Sequence, residues 1–556
     1  MKNKINNEKV LYVISKLDDS KRNQIIFLSL LVISALAVRL YIFPFDVPFF
    51  NDSQDYFWYA IDTSLLNKFP EGHNLTNNGW PVFVSVFFQL IDSNNFLDYQ
   101  NIQRLIGVFF SVATIFPVYL LCTRFVRKGY SLLGATLFIF EPRLIQNSSI
   151  GTPESMYIFL IASALALFLS TDFKKIYLAF FIVGLLSVVR YEGILLIIPL
   201  SIVFFIRFRL KKKDLFKYII CIMIFCLVII PIAYIKNETT GQDGFVSHIS
   251  AGPEYYQVSI QQNSSSPIEF FEKGITNMIK FLGWVQIPVF LIFVPIGIIL
   301  FLKKNDYKKT LIILTAVMIL IPAFYAYSRD FSETKYLYAL FPIFSLIGCF
   351  TFKKIFDSFD RKNLVLCLIL IGIILSSSIF VSWKMIDHEH YRETYQILSD
   401  IGKRDIVING DIGTYGGEFV YFHWVRLQNI DEFPILKKSI PILDLSTPVQ
   451  PARIEKEQSK PTEERTYPEW KNKMDINNFD EYLLLLKEQN VTHLLIDEKN
   501  NVRLINDNLR NELRKVFENE TEYEYLIKEY DSKDKGYKYH VKLFKINYDL
   551  IKKNEN

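Results

Sequence analysis

The sequence predicts an α-helical polytopic membrane protein with about eleven transmembrane helices and a C-terminal extracytoplasmic α/β domain. Three observations lead to this fold class. Apolar runs of roughly the 20 residues that a helix needs to cross the hydrocarbon core recur through the first two thirds of the chain. Short clusters of Lys and Arg alternate with longer, more acidic connections between these runs. The last part of the chain instead alternates short strand-like runs with helical stretches.

The apolar runs define a membrane domain over residues 25–383. They lie at 25–44, 104–124, 130–147, 155–171, 175–190, 192–208, 215–235, 282–302, 308–327, 334–352 and 362–383. The first run follows a polar segment and lacks a small-residue cleavage site, so it is predicted to be a span and not a signal peptide. Each run is therefore expected to form one crossing.

Basic clusters predict the orientation of these spans. The clusters lie at 21–22, 124–128, 174–175, 207–213, 303–309 and 353–362. Because cytoplasmic loops carry an excess of Lys and Arg, these connections are predicted to be inside. Residues 1–24 are then a cytoplasmic N-terminus, and an odd number of crossings puts residues 384–556 outside the cytoplasm.

Two long loops and the C-terminal domain make up the predicted outer side. Loop 45–103 holds an apolar stretch at 82–91 that is too short to cross and is predicted to form an interfacial helix. Loop 236–280 is rich in Gly, Ser and Gln and is expected to be a mobile cover over a site. In the C-terminal domain, strands are predicted at 406–408, 493–496 and 540–544, helices at 479–489 and 504–518, and a linker near 446–471.

Composition and motifs exclude some classes of protein. With 51% hydrophobic residues and a mean hydropathy of +0.20, the 556-residue chain is too apolar to be soluble. Its net charge of +5 gives no basic footprint for nucleic acid. No Gly-rich phosphate loop follows a strand, so nucleotide-sugar chemistry is not expected. All five cysteines lie in apolar runs and are interpreted as packing residues, so no disulfide framework is predicted.

Ionisable residues collect at the outer ends of the predicted spans. They are Arg39, Asp46, Asp52, Asp55, Glu141, Arg143, Glu154, Arg190, Glu192, Arg329, Asp330, Glu333 and Lys335. Any one of them can pair or snorkel at the interface for structural reasons alone. Their concentration on one side favours an enzyme that works at the outer membrane surface, because a transporter would place charged residues near the midplane.

Sequence motifs in this outer set resemble those of the GT-C membrane glycosyltransferases, which use polyprenyl-phosphate-linked sugars. The motifs are VRLY (38–41), NDSQDYFWYA (51–60), EPRL (141–144), GTPESMYIFL (151–160), VRYEGILL (189–196) and ETKYLYALFP (333–342). They occur in the family's order over about residues 25–383. The resemblance is strongest to the branch of the dolichyl-phosphate-mannose protein mannosyltransferases and the aminoarabinose transferases.

The sequence departs from this family at two points. Asp52 is followed by Ser53, whereas protein mannosyltransferases usually have an Asp-Glu pair there. The Trp-Trp-Asp-Tyr-Gly motif of oligosaccharyltransferase catalytic subunits is missing, which argues against that branch. The first departure leaves the acceptor class open.

The resemblance implies an activity. A sugar (mannose or another hexose) would pass from a polyprenyl- or dolichyl-phosphate donor to a protein or lipid-linked glycan acceptor on the outer face, with inversion. The candidate catalytic residues are Asp52 as general base, Asp55 in reserve and Glu154 as an orienting group. The candidate donor-phosphate ligands are Arg190, Lys335, Arg39 and Arg143, supported by Glu192, Glu333 and Tyr336.

No cofactor is required by this pattern, and the separated acids allow a divalent cation without demanding one. Two other readings of the sequence stay open. A flippase or transporter for a polyprenyl-linked sugar would need a polar path across the midplane. A non-catalytic membrane assembly protein would tolerate loss of the outer acids.

Overall fold

The computed structural model describes residues 20–71, 75–208, 211–249, 267–303, 306–329, 331–359, 361–403, 411–413, 421–427, 433–437, 479–488, 491–498 and 507–551. The chain divides into two compact units. The membrane unit comprises Met1–Phe43, Asp52–Asp92 and Tyr99–Lys384. The C-terminal unit comprises Pro44–Asn51, Ser93–Asp98 and Met385–Asn556.

The long helices of the chain follow the apolar runs. In order they are α1 Lys21–Tyr41, α2 Asp52–Leu66, α3 Gly79–Phe88, α4 Phe96–Ala113, α5 Ile115–Thr123, α6 Lys128–Ile139, α7 Pro142–Asn147, α8 Glu154–Phe168, α9 Phe173–Val189, α10 Ile197–Phe208, α11 Lys212–Thr240, α12 Pro267–Gln286, α13 Phe293–Phe301, α14 Tyr307–Ser328, α15 Phe341–Ser358 and α16 Lys362–Gly402. Two 3-10 segments, Tyr191–Leu196 and Thr334–Leu340, lead into α10 and α15. Helix α3 lies where the interfacial helix was predicted.

Seven helical segments of the described residues are long and apolar enough to cross a membrane. They are Lys21–Tyr41, Phe96–Thr123, Tyr191–Phe208, Lys212–Thr240, Tyr307–Ser328, Thr334–Ser358 and Lys362–Gly402. The other four predicted spans fall on shorter or interrupted helices: α6 with α7, α8, α9, and α12 with α13. The chain is therefore a multi-pass membrane protein, while the count of about eleven crossings stays a prediction.

Burial separates inner from peripheral spans. Segments Phe96–Thr123 and Thr334–Ser358 are mostly buried, whereas α11 and α16 are mostly exposed. Exposed apolar side chains such as Leu227 and Ile379, each 70% exposed, are suited to contact with lipid. Small residues let the inner helices approach closely. A Cβ atom on Gly134 would stand 2.5 Å from the Cys349 sulfur, so a larger side chain does not fit at this helix spacing.

The C-terminal unit contains a four-stranded sheet, as the α/β pattern predicted. Its strands are β1 Asp411–Gly413, β2 Val491–Asp497, β3 Leu526–Asp531 and β4 Val541–Ile546, and its further helices are α17 Phe422–Leu427, α18 Phe479–Glu488 and α19 Asp507–Glu518. The strand order is β1-β2-β4-β3, with β1 parallel to β2 and the other pairs antiparallel. Strand β3 was not predicted. The predicted strand at 406–408 and the linker near 446–471 lie outside the described residues.

Two short pieces of loop 45–103 belong to the C-terminal unit, and Trp424 of α17 binds both of them. Its indole nitrogen donates a 2.6 Å hydrogen bond to the carbonyl of Phe49. Its ring stacks on Phe96 with 5.0 Å between ring centroids. Nearby, Arg392 forms a 2.7 Å ion pair with Asp46. Trp424 is fully buried and holds these pieces of chain together.

Replacing Trp424 with alanine is expected to destabilise the C-terminal unit. Removing a buried Trp leaves a cavity and an unpaired carbonyl, which costs about 3–5 kcal/mol. Hydrogen exchange on the full chain should then show faster exchange in β2 and β4. The control is Leu484→Ala, which removes an apolar side chain that is 42% exposed in the same unit. Equal exchange rates in the two variants would show that Trp424 does not anchor the loop pieces.

Candidate active site

The first element of the site is a half-buried lysine shared by two exposed carboxylates. Lys335 Nζ lies 2.8 Å from Asp52 Oδ2 and 2.7 Å from Glu333 Oε2. The side chain of Asp52 is 59% exposed and that of Lys335 is 27% exposed. A pair this exposed stabilises the fold by only about 0–1 kcal/mol, so its partners can exchange without loss of structure.

Local backbone geometry places Asp52 at the start of α2. Asn51 adopts a positive φ of 53°, which Asn tolerates better than most residues, and the helix begins directly after it. Asp52 and Asp55 occupy the first helical turn, where carboxylates interact favourably with the helix dipole. Both side chains are exposed. Their helical position therefore has a structural reason as well as a chemical one.

The second element is an arginine held between two buried glutamates. Arg190 donates to Glu154 Oε1 at 2.7 Å and to Glu192 Oε1 at 3.1 Å. A weaker bond of 3.4 Å runs from Arg190 Nε to Glu192 Oε2, which makes the contact to Glu192 bidentate. The three side chains are only 7–14% exposed. The guanidinium also lies over the ring of Tyr157, 5.5 Å from its centroid.

The chain reaches this arrangement through the turn after α9. Arg190 is extended, with φ −142° and ψ 123°, and it ends the helix before the 3-10 segment begins. Residue 193 is a glycine, and a Cβ atom there would stand 2.8 Å from the Leu186 carbonyl carbon, too close for a larger residue. The extended residue turns the guanidinium towards the start of α8, where Glu154 lies in the first turn. The VRYEGILL motif thus encodes the turn as well as the charge.

One cleft is lined by Lys335 of the first element and by all three side chains of the second. Asp52 and Glu333 are not among its lining residues. The polar and aromatic residues around it are Glu154, Tyr157, Arg190, Glu192, Lys335, Tyr336 and Tyr338. Its other residues are mainly apolar and come from α8, α14 and the two 3-10 segments. Across the two elements, each of the two cations forms ion pairs with two carboxylates. The cleft therefore combines charged and aromatic side chains with apolar ones.

One carboxylate oxygen in this cleft lacks a partner. Arg190 occupies Oε1 of Glu154, whereas Oε2 is buried and has no hydrogen-bond partner among the described residues. An unpaired buried acceptor costs about 1–3 kcal/mol, so a hydroxyl group of a bound ligand would find a ready acceptor there.

The predicted residues Arg39 and Arg143 lie outside the residues that line the cleft. Arg39 is fully buried and donates to Ser111 Oγ at 3.1 Å and to the Ile139 carbonyl at 3.3 Å. Arg143 pairs with Glu141 at 3.3 Å. The same guanidinium donates to the carbonyls of Trp284, at 2.7 Å, and Ile287. Each guanidinium ties helices together, and the phosphate-binding role given to both stays a prediction.

The donor set for a metal ion is incomplete. Within the described part of the chain, no three His, Cys, Asp or Glu side chains are grouped closely enough to hold a metal ion. The acids of the cleft are already paired with Arg190 or Lys335. The described acids of the cleft therefore do not fit a resident divalent cation.

Sequence reasoning missed three residues near the cleft. Tyr157 and Tyr338 line it but were not selected, because aromatic residues are common in this chain. Lys236 is buried near the C-terminal end of α11 and was also not selected. The available signal was a single lysine directly after the apolar run 215–235.

Solved structures share this architecture, although no family model and no curated protein matches the sequence. The archaeal oligosaccharyltransferase AglB from Archaeoglobus fulgidus, in complex with an inhibitory peptide and a dolichol-phosphate, aligns over 86% of this chain and 70% of its own, with a TM-score of 0.53 and 12% identity. The same enzyme with Zn and sulfate aligns over 88% and 71%, with a TM-score of 0.51 and 14% identity.

The chain has the GT-C fold. The resemblance that the motifs suggested is thereby confirmed. ArnT from Cupriavidus metallidurans bound to undecaprenyl phosphate is also a GT-C neighbour, with a TM-score of 0.46 and 10% identity over 73% of this chain and 69% of its own. At sequence identities this low, the similarity shows the fold alone. The reaction has to be inferred from the residues of the cleft.

Proposed function

We propose that this GT-C protein is an integral membrane glycosyltransferase that transfers a sugar from a polyprenyl-phosphate donor to an acceptor on the outer face of the membrane. The observation that carries the proposal is the cleft itself. It is lined by Lys335, whose ammonium lies 2.8 Å from Asp52, and by a largely buried group of two glutamates and an arginine. The dolichol-phosphate in the Archaeoglobus complex supports a lipid phosphate as donor.

The proposed reaction is a single displacement. An acceptor hydroxyl oxygen attacks the anomeric carbon, and the bond from that carbon to the phosphate oxygen breaks. The hydroxyl proton passes to Asp52, and the electron pair leaves with the lipid phosphate. One displacement inverts the anomeric centre. Asp52 suits the role because its carboxylate is exposed and is held 2.8 Å from the Lys335 ammonium.

Other residues of the cleft have complementary roles in this proposal. The free Oε2 of Glu154 accepts a hydrogen bond from a sugar or acceptor hydroxyl. Lys335 and Arg190 stabilise negative charge that develops on the departing phosphate. Tyr336 provides an apolar ring beside Lys335, 5.9 Å from its Nζ. A mannose or another hexose, and a protein or lipid-linked glycan acceptor, fit this scheme.

A transfer assay tests the proposal. The purified full chain is added to membranes together with a radiolabelled sugar linked to polyprenyl phosphate, and label is measured in the protein and lipid-linked glycan fractions. We expect label in one of these fractions, with release of unlabelled polyprenyl phosphate. Movement of intact labelled donor across vesicle membranes without transfer would instead identify a flippase.

Orientation gives a separate prediction: the C-terminal unit is extracytoplasmic. In a variant whose five natural cysteines are replaced by alanine, one cysteine is introduced at exposed Asp534 of the C-terminal unit. The control carries it at exposed Lys213, in a predicted cytoplasmic cluster. A membrane-impermeant maleimide should label Asp534→Cys in intact cells and Lys213→Cys only after permeabilisation. The opposite pattern would reverse the topology.

A further inference from the structure

Lys236, at the C-terminal end of α11, is a buried cation that forms no direct ion pair within the described residues. The side chain is 3% exposed. Its ammonium donates to the carbonyls of Leu75 at 3.3 Å and Thr76 at 3.2 Å. No carboxylate among the described residues forms an ion pair with it. Arg190 and Lys335, in contrast, are each paired with two carboxylates.

The acidic residue that interacts electrostatically with Lys236 is Asp243. Asp243 lies in the turn after α11, and its two carboxylate oxygens accept the backbone N–H groups of Val246 and Ser247, each at 2.8 Å. These bonds hold the turn in place, and Asp243 makes no direct ion pair with Lys236. A buried charge without a directly paired counter-charge is costly, so a position of this kind favours the binding of an anion.

The turn that contains Gly244 packs against the ammonium group of Lys236. Gly244 has a φ of +76°, and a Cβ atom there would stand 2.5 Å from Lys236 Nζ. Only glycine allows both this backbone conformation and this approach. The turn, Lys236 and the carbonyls of Leu75 and Thr76 therefore form one packed wall.

His248 adds a polar atom to the same place. Its ring packs on that of Tyr191, with 5.4 Å between centroids. Its Nε2 is buried and has no hydrogen-bond partner among the described residues. Burial, and then the charge of Lys236, lower the pKa of His248, which keeps a neutral ring that can donate one N–H. Tyr191 in turn lies between Arg190 and Glu192 of the cleft, and its backbone N–H donates to Asn77 Oδ1 at 3.3 Å.

We propose that Lys236 and His248 form an anion site for a phosphate group, next to the Glu192 side of the cleft. The buried ammonium provides the charge and the imidazole provides a directed donor. This assignment rests on the proposed function, since it takes the phosphate to be the headgroup of the polyprenyl donor. The site would add a phosphate contact to those proposed for Lys335 and Arg190. Neither Lys236 nor His248 was among the candidates predicted from the sequence.

Direct binding tests the site. Radiolabelled polyprenyl phosphate is titrated against the purified full chain in detergent. Lys236→Gln, which keeps a donor for the two carbonyls but removes the charge, should raise the Kd about tenfold, in line with the loss of a charge-assisted hydrogen bond. Lys236→Arg should restore much of the affinity. The matched control is Lys213→Gln, an exposed lysine near the other end of α11, which should bind as the wild type does.

A second variant guards against misfolding. His248→Phe keeps the ring contact with Tyr191 and removes the nitrogen, so we expect a several-fold weaker affinity with unchanged thermal stability. Inorganic phosphate and neutral polyprenol are titrated in parallel. Lys236-dependent binding of inorganic phosphate with no gain from the polyprenyl chain would identify free phosphate as the ligand.

Two results separate the site from the proposed function. Equal affinity of wild type, Lys236→Gln and His248→Phe for both phosphates would overturn the site, whatever the transfer assay shows. Lys236-dependent binding of polyprenyl phosphate in a protein that transfers no sugar would retain the site and overturn the proposed glycosyltransferase.

Discussion

Asp52→Asn is expected to reduce sugar transfer by about 10²–10⁴-fold, the usual contribution of a general base. Asparagine keeps the shape of aspartate and can still accept a hydrogen bond from Lys335, but it cannot take up the acceptor proton. Because the Asp52 side chain is exposed, thermal stability should stay near that of the wild type. Initial rates at saturating donor, measured with the transfer assay, report the effect.

The matched control is Asp55→Asn. Both aspartates lie in the first turn of α2 and both are exposed, so each substitution removes the same charge from the same helix start. A loss of helix-dipole stabilisation would affect the two variants alike, whereas loss of the base affects one. Retained activity in Asp52→Asn with loss in Asp55→Asn would move the catalytic assignment to Asp55. Retained activity in both would refute a carboxylate base at this position.

The apolar runs predicted the helical membrane segments because hydrophobicity is a local property of the chain. The helical spans and the α/β character of the C-terminal unit follow from runs of 10 to 20 residues. Helix boundaries were less accurate. The last span was predicted to end at residue 383, yet α16 continues to Gly402, since no helix-breaking residue occurs in the polar stretch between.

Strand β3 was missed for a related reason. Its sequence, LIKEYD, carries three charged residues, and at the edge of the sheet it shows little apolar alternation. Charged residues are common on edge strands, where they discourage pairing with other chains. A pattern search that expects alternating apolar residues does not detect such a strand.

Pairing across long sequence separations could not be predicted. Lys335 meets Asp52 from 283 residues away, and Arg190 meets Glu154 from 36 residues away. A list of ionisable residues at span ends identifies the partners but not the pairs. It also does not separate Arg39, which is bonded to carbonyls inside the helix bundle, from Arg190, which lines the cleft. Only the packing of the helices makes that distinction.

Arg190→Gln is expected both to destabilise the membrane unit and to abolish transfer. The substitution leaves Glu154 and Glu192 buried without their counter-charge, and breaking a buried ion pair in this way costs about 3–5 kcal/mol. The free energy of unfolding in mixed micelles should fall by that amount. The control is Arg329→Gln, which removes an exposed arginine at the C-terminal end of α14 and should change stability by less than about 0.5 kcal/mol.

A triple variant separates the structural role of Arg190 from its role in the reaction. Arg190→Met, Glu154→Gln and Glu192→Gln together remove all three buried charges, so most of the lost stability should return. Transfer should stay at least 100-fold below the wild type, because the cation that stabilises the leaving phosphate and the acceptor oxygen of Glu154 are both gone. Recovery of stability together with activity would show that this group only supports the fold. Wild-type stability in the Arg190→Gln single variant would instead show that the buried ion pairs contribute nothing to folding.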